Sequence, residues 1–453
     1  MLEGSILQQL SDAHKTGPRP LRFGVYYKNT LVALCHALED SILSSNCSPI
    51  VITAFQRGKW YLQEADRYGE IAGKSSQIAI MAAPDSGFAE HPTSQLPNVD
   101  LVSLAPVDPV AQEWHLMILS PHYTAMVICQ ELSPADYGTG GQPEADLERK
   151  FYGFWTFEPA LVRETVGLAI AHIGHYNPEL KAKLTAQLEA LPSAGNQEPE
   201  DLGAIVSRVV DYLQTSHDDL IGDKHAEIPA SHHEALDMNL VSNELQAFVR
   251  MAQLMELANT GNPMSTAEVA ALAETMGQIL DLPAWQLKRL RLAGLLHGLV
   301  PSFNYASQNS DPSCCPLMPE VQALRAMPQL RAIASIITHL TEWWNGSGTP
   351  AGLAYDAIPL ESRILGLLID FQWRLSQHLS QKSRAESLSQ ALSDCQALSG
   401  ERWDPKLIET LTILVKGLQQ GLNLTITPPK VSAGMWLIDD REQSDIKINV
   451  VSQ

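Results

Sequence analysis

The sequence predicts a two-part chain, an α+β N-terminal half built on a mixed sheet followed by an all-α half that closes in a short β-like tail. Three observations predict it. Strand-like runs recur between Ile50 and Phe157 among helical stretches, such runs nearly vanish from Leu202 onward, and 453 residues exceed what one hydrophobic core usually spans.

The elements follow in order. Leu31 to Leu43 has apolar residues at helical spacing, and Pro49 then leads into the β-branched run Ile50, Val51, Ile52, Thr53. Further strand-like runs are Gln77 to Met81, Asp100 to Leu104, His115 to Leu119 and Ala125 to Cys129. Ser120-Pro121-His122 splits the last two, so Trp114 to Gln130 reads as a hairpin and not as a membrane span. The aromatic run Phe151 to Phe157 is another strand, and Pro159 sits where it can open the next helix, through Leu161, Val162, Val166, Ile170 and Ala171.

A polar segment, Pro192 to Asp201, is the first linker candidate, Leu202 to Leu213 has a helical pattern, and His217 to Glu234 is polar with scattered breakers. Within Leu236 to Asn259 the residues Val241, Leu245, Phe248, Ala252 and Met255 form a narrow stripe on one helix face, read either as a dimer seam or as packing against the chain's own domain. Thr425 to Val451 turns strand-like around Pro428-Pro429 and Trp436-Leu437-Ile438. The expected division is an N-terminal arm (1–19), a sensory domain (20–185), a linker with a short helix (186–235), a helical domain (236–420) and a tail (421–453).

Composition excludes several function classes. Hydrophobic residues at 45% and charged ones at 18% fit packed domains. A formal charge of -20 repels phosphate backbones and anionic lipid, so neither nucleic acid nor membrane insertion is expected. Met1 to Leu10 lacks the basic-then-apolar pattern of a secretory signal, and a cytoplasmic protein is expected. Cys35, Cys47, Cys129, Cys314, Cys315 and Cys395 contain no CxxC pair, so neither a zinc knuckle nor a disulfide framework is indicated.

The most specific stretch is His339-Leu340-Thr341-Glu342-Trp343-Trp344-Asn345-Gly346-Ser347-Gly348-Thr349-Pro350, followed by Ile358-Pro359-Leu360 and Arg363-Ile364-Leu365. Physically it is a helix end, a glycine-rich turn and a new helix. It resembles the signature of HD-GYP cyclic-dinucleotide phosphodiesterases, in which His-His-Glu, a Trp-Asp-Gly-Ser-Gly-Tyr-Pro turn and Ile-Pro-Leu follow at this spacing. Arg289 to His297 is similar to the family helix that ends in its His-Asp pair, and Trp403-Asp404-Pro405 is similar to its closing Phe-Asp-Pro, so the resemblance covers about residues 260 to 415.

The resemblance implies two or three metal ions held by imidazoles and carboxylates. The implied ligand positions are changed here. The first histidine falls at Ser265, which begins a Ser-x-x-Glu capping box with Glu268, and the His-Asp pair becomes His297-Gly298. A later histidine becomes Met327, the His-His dipeptide falls on Leu340-Thr341 with His339 one residue early, and the last aspartate falls on Ile369 with Asp370 one residue late. Glu342 is expected to cap or pair locally, and Asn345, standing for aspartate, to keep the turn; Thr349 replaces the tyrosine of Gly-Tyr-Pro. His232-His233-Glu234 and His217-Asp218 lie in the polar connector and read as solvated linker.

Phe55-Gln56-Arg57, Trp60-Tyr61 and Arg67-Tyr68-Gly69-Glu70-Ile71-Ala72, closed by Phe151 to Pro159, resemble the DICT sensory domain over about residues 20 to 185. Phe55, Trp60, Tyr61 and Tyr68 are candidates to line a ligand pocket. Together these readings predict a bacterial signalling protein that is not an enzyme, holds no cofactor or metal, and acts by binding a partner protein. The alternatives are a non-hydrolytic cyclic-dinucleotide receptor and a weak cyclic di-GMP phosphodiesterase.

Overall fold

A computed structural model describes residues 1–15, 21, 23–56, 58–83, 88–140, 142–143, 149–192, 208–209, 212, 245, 247–253, 255, 262, 264–299, 324–325, 330–379, 382–422, 424 and 426. Met327, Cys314-Cys315, His217-Asp218, His232-His233-Glu234 and the strand-like tail lie outside the described residues, as do the side chains of Trp60 and Tyr61.

The N-terminal half is a mixed sheet of seven strands: β1 (Gly24–Tyr27), β2 (Ile50–Phe55), β3 (Gln77–Ala82), β4 (Val99–Ser103), β5 (Glu113–Leu119), β6 (Thr124–Glu131) and β7 (Lys150–Thr156), ordered β1-β7-β6-β5-β2-β3-β4. β2, β3 and β4 are parallel, whereas β5, β6, β7 and β1 pair antiparallel. The hairpin expected at Ser120-Pro121-His122 is β5–β6, in register Leu119↔Thr124, and Ser120 Oγ closes its turn onto Tyr123 N (2.9 Å). β2 is buried along its whole length because helices cover both of its faces, the pattern of an interior strand.

The period of two sorts its side chains. Val51, Ile78, Ile118 and Val127 face α2 (Lys28–Ser44) and α3 (Gly58–Ala72), while Ile50, Ile52, Met117 and Ile128 face α1 (Ile6–His14), α4 (Pro159–Ile173) and α5 (Pro178–Ala190). The segment expected as an N-terminal arm carries a docked helix, α1. Ser5 caps α1, Ile6, Leu7 and Leu10 are fully buried, and the Glu113 carboxylate accepts from Ile6 N (3.1 Å) and Leu7 N (2.8 Å). That buried acid supplies the acceptors which the first turn of a helix lacks.

The C-terminal half is helical among the described residues: α6 (Ser265–Ile279), α7 (Ala284–Leu296), α8 (Arg331–Thr338), α9 (Leu360–Leu379), α10 (Arg384–Gln396) and α11 (Pro405–Gln419). α9 runs through its centre, with Ile364, Leu365, Leu367, Leu368 and Phe371 fully buried on more than one side of the helix. α10 starts on a complete Ser383–Glu386 capping box, and α11 on Asp404 with Pro405 in the first turn.

Helical backbone at 247–253 joins the halves. Leu245, Phe248, Ala252 and Met255 are buried in the core that also holds Val51 and Trp155 of the sheet and Leu296 and Leu368 of the helices. Arg250 donates to the Trp155 carbonyl (3.3 Å). The stripe read from the sequence is thus covered by the chain itself at these residues, which removes the apolar surface that a dimer seam would have used.

Candidate functional site

His297 stands at the C-terminal end of α7, is 3% exposed, and directs Nδ1 at the Gly294 carbonyl (2.6 Å). A carbonyl oxygen only accepts, so Nδ1 carries a proton here and Nε2 lies on the far side of the ring. Nε2 is buried and has no hydrogen-bond partner among the described residues. Metal-ligating histidines are commonly oriented by such a bond from the other ring nitrogen.

The residues around it do not complete a metal centre. A Cβ at Gly298 would lie 2.5 Å from the Ala252 carbonyl oxygen and 3.2 Å from Thr266 Cγ2, so the place of a bridging aspartate is filled by the backbone that joins the two halves. Leu340 and Ile369 are core residues, 4% and 8% exposed. Ser265 is buried in the first turn of α6, and the expected capping box does not form. Met264 holds the cap position without a side-chain bond, and Glu268 instead accepts from Asn262 (3.1 Å) and from Gln372. Burial raises the Glu268 carboxyl above its ordinary range, against the opposing Asn262 hydrogen bond and Arg384 charge.

Asp370, fully buried on α9, accepts from Arg374 Nε (2.7 Å) and lies 3.8 Å from Arg402 Nη1. Among the described residues no three His, Cys, Asp or Glu side chains gather where they could hold a metal ion. A binuclear centre of the kind the resemblance implies therefore does not fit these side chains.

The signature turn is built from local polar bonds. Thr341 Oγ1 donates to the Thr349 carbonyl (2.7 Å) and Thr349 N returns to the Thr341 carbonyl (3.2 Å), so the residue standing for a histidine is used to close the turn. Asn345 Oδ1 accepts from Ser347 N (2.9 Å) and Ser347 Oγ (2.6 Å), which keeps the Asx turn that an aspartate would make. Gly346 takes φ +83°, and a Cβ at Gly348 would lie 2.2 Å from Trp343 N, so both glycines are required by the path of the chain. Pro350 follows Thr349 through a cis peptide bond.

Glu342 organises the whole loop. It is 4% exposed, and its carboxylate accepts from Ala351 N (2.7 Å) and Leu353 N (3.0 Å), with His339 Nδ1 at 3.4 Å. The rim carries rings and guanidinium groups. Arg363 lies over Trp344 (5.4 Å) and bonds Asp356 and Asp404 (2.9 Å each), Tyr355 meets Trp344 edge-on, and Arg402 lies over Trp343 (5.3 Å) and Trp403 (4.6 Å).

In the N-terminal half, Phe55 and Tyr68 line a cavity of about 150 Å³ between α2, α3, β2 and β5. Lys28 and Glu39 on α2, Gln56 just after β2 and Trp114 on β5 also line it and were not among the pocket candidates read from the sequence, since no local pattern joins all four. Glu39 accepts from Arg67 Nε (2.6 Å) and Tyr68 OH (3.1 Å), while His36 pairs with Glu64 (3.0 Å). Burial raises the Glu39 carboxyl, opposed by the charges of His36 and Arg67, and pushes the Tyr68 hydroxyl well up, helped by the Glu39 charge.

Three family models match the chain: the sensory domain in diguanylate cyclases and two-component systems (DICT) at residues 4–132, a C-terminal domain of a two-partite extracellular sensor domain at 145–222, and an HD domain at 317–407. The 3′3′-cGAMP-specific phosphodiesterase 3 of Vibrio cholerae serotype O1 (strain ATCC 39315 / El Tor Inaba N16961) is 39% identical over 85 residues, which span 19% of this chain and 17% of that protein. A solved HDG"Y"P protein, Bd1817 from Bdellovibrio bacteriovorus, aligns over 60% of this chain and 84% of its own at 15% identity and a TM-score of 0.24.

The chain therefore carries a DICT sensory domain and an HD-type domain. The DICT match begins and ends earlier than the 20–185 read from the motifs, and His297-Gly298 falls outside the HD match. The expectation that the chain is not an enzyme is overturned. Its HD domain and its likeness to a named phosphodiesterase point to the hydrolase class, and the changed ligand positions do not outweigh them. No helix among the described residues is long and apolar enough to cross a membrane.

Proposed function

We propose that this chain, pairing a DICT sensory domain with an HD-type domain, is a cyclic-dinucleotide signalling protein whose helical half engages a 3′,3′-cyclic dinucleotide. The observation that carries this reading is the 39% identity over 85 residues to a 3′3′-cGAMP-specific phosphodiesterase. Phosphodiester hydrolysis is the reaction class that this likeness brings to the chain.

The rim of the turn supports a nucleotide ligand. Guanidinium groups bind phosphate oxygens in pairs, and indole faces stack bases. Arg363 is held by the buried Asp404 and by Asp356, whose side chain is 88% exposed. An exposed ion pair is worth little. A phosphate can replace Asp356 on that guanidinium at small cost while Asp404 still fixes its position.

Titration calorimetry of the full chain with 3′3′-cGAMP and with cyclic di-GMP, and chromatography of each after incubation with Mn²⁺ or Fe²⁺, test the reading. Micromolar binding or a linear product supports it, and Arg363→Ala is then expected to weaken binding about tenfold. Neither heat nor product with both dinucleotides would overturn it.

A second reading, docking of a protein partner, is favoured by the exposed aromatics. Trp285 is 54% exposed under the Arg289 guanidinium (4.7 Å), and Tyr355 is 57% exposed. Tryptophan, tyrosine and arginine are the residues that anchor interfaces. Capture of one specific protein from native lysate, lost with Trp285→Ser, is the expected result.

A further inference from the structure

α2 ends at Ser44 with no basic side chain of its own in the last turn. The carbonyls at a helix C-terminus lack partners and carry the negative end of the helix dipole, so a cation placed there is favoured. That cation comes from far along the chain. Arg208 Nη1 donates to Ser41 Oγ (2.8 Å) and Nη2 to Ser44 Oγ (3.0 Å). Both hydroxyls are already aimed, for Ser41 Oγ donates to the Ala37 carbonyl (3.2 Å) and Ser44 Oγ to the Ser41 carbonyl (3.4 Å), which leaves their lone pairs to accept.

One turn earlier on α2, Asp40 takes a second group from the same stretch. Arg67 of α3 holds Oδ1 of that carboxylate (2.8 Å) and Tyr212 OH donates to Oδ2 (2.7 Å), with the Tyr212 ring edge-on to His36 (5.5 Å). Residues 208, 209 and 212 have helical backbone, so Arg208 and Tyr212, four apart, share a face. Val209 is fully buried in the core that also holds Leu34 and Leu38 of α2. Among the described residues the contact is thus a few polar bonds on the rim and one apolar anchor, whereas β2 beneath it is buried from end to end. Stretches held by few apolar contacts and by rim hydrogen bonds are the ones that open first.

We propose that Arg208 and Tyr212 form a clasp by which α2 holds the stretch leading out of the sensory half, that the clasp opens while the sheet stays folded, and that the seating of α2 sets how tightly it closes. The turn of α2 that carries Asp40 also faces the cavity. His36 and Glu39 line that cavity, and Arg67 bonds Glu39 (2.6 Å) and the His36 carbonyl (2.7 Å) as well as Asp40. A displacement of α2 on the cavity side therefore moves the very groups that hold Tyr212. The clasp is in this way the output contact of the sensory half.

Amide hydrogen exchange of the full chain at increasing urea tests the proposal. Peptides covering 208–212 are expected to exchange about tenfold faster than those of β2, and with a smaller urea dependence, the mark of local opening. Tyr212→Phe, which removes only the hydroxyl, should speed exchange at 208–212 about threefold and leave β2 unchanged, and Arg208→Gln should do the same. Val32→Leu adds one methylene to the cavity wall on α2 and should also speed exchange at 208–212 without moving β2. Equal protection and urea dependence at 208–212 and in β2 would overturn the clasp, as would exchange at 208–212 unmoved by Tyr212→Phe and Arg208→Gln; no change in Val32→Leu would overturn its tie to the cavity side. The comparison within the unaltered chain needs no variant to fold, and its outcome is independent of any cyclic dinucleotide.

Discussion

Both halves bury polar groups, and the groups around their candidate sites differ. In the sensory half they are tied into networks that join distant elements: Glu113 holds the first turn of α1 and His115 (3.0 Å), Asp108 holds His172 and Tyr176, and Glu39 holds Arg67 and Tyr68. In the helical half, positions where the family resemblance places metal ligands are turned to packing and turn closure, by Leu340, Thr341 and Ile369. At Gly298 backbone from another segment comes close, for a Cβ there would lie 2.5 Å from the Ala252 carbonyl oxygen.

The strongest way to sharpen this contrast is Asp370→Ala. The variant leaves Arg374 and Arg402 beside a buried void, and a loss of about 3–5 kcal/mol in denaturant unfolding is expected. A loss under about 1 kcal/mol would show that this carboxylate is not structural. Next is Gly298→Asp, which restores the residue of the family pair. With only 2.5 Å to the Ala252 oxygen it should cost about 3 kcal/mol and should not create metal binding, checked by unfolding and by metal analysis. A stable variant that gains manganese would break the comparison.

In the sensory half, Glu113→Gln keeps the shape but removes the charge from three hydrogen bonds, and a loss of about 2 kcal/mol is expected. Faster amide exchange at Ile6 and Leu7 would locate that loss at α1. The smallest effect is pH-dependent and belongs to His36 and Glu64. His36 is held above its ordinary 6.5, since the Glu64 hydrogen bond and the Glu39 and Glu64 charges outweigh burial. Glu64 is held below its ordinary 4.5, where burial is outweighed by the His36 hydrogen bond and charge.

The raised histidine stabilises fully below its unfolded value and loses that contribution as pH rises through its folded value. The lowered carboxyl stabilises above its unfolded value and loses its contribution as pH falls. The pair is therefore strongest between about pH 5 and 6.5. His36→Asn should cost about 1 kcal/mol at pH 5.5 and clearly less at pH 9, measured by urea unfolding. The same loss at both values would remove the ion pair from the account.

The sequence made much of this legible. β-branched runs marked β2 and β3, the Ser-Pro-His break marked the β5–β6 turn, and the motifs around Trp344 to Pro350 marked the HD-type half, because these signals are local. Phe55 and Tyr68 were legible as pocket candidates, being aromatics on a strand end and a helix. Lys28, Glu39, Gln56 and Trp114 were not, since only folding brings α2, β2 and β5 around one space. Glu342 was expected to cap or pair locally, and beside its pairing with His339 it holds the loop as far as Leu353, a role that depends on how the loop returns.

The chain's own order of residues determined its elements, its charge, and which residues stand at 265, 298, 340, 341 and 369, for those are properties of each position and its near neighbours. Tertiary structure alone decided that Ala252 occupies the space beside Gly298, that the stripe from Leu245 to Met255 is covered from within, and that Phe55, Gln56 and Tyr68 line one cavity. Those are contacts between segments far apart in the chain, set by close packing of whole elements, and no spacing along the chain encodes them.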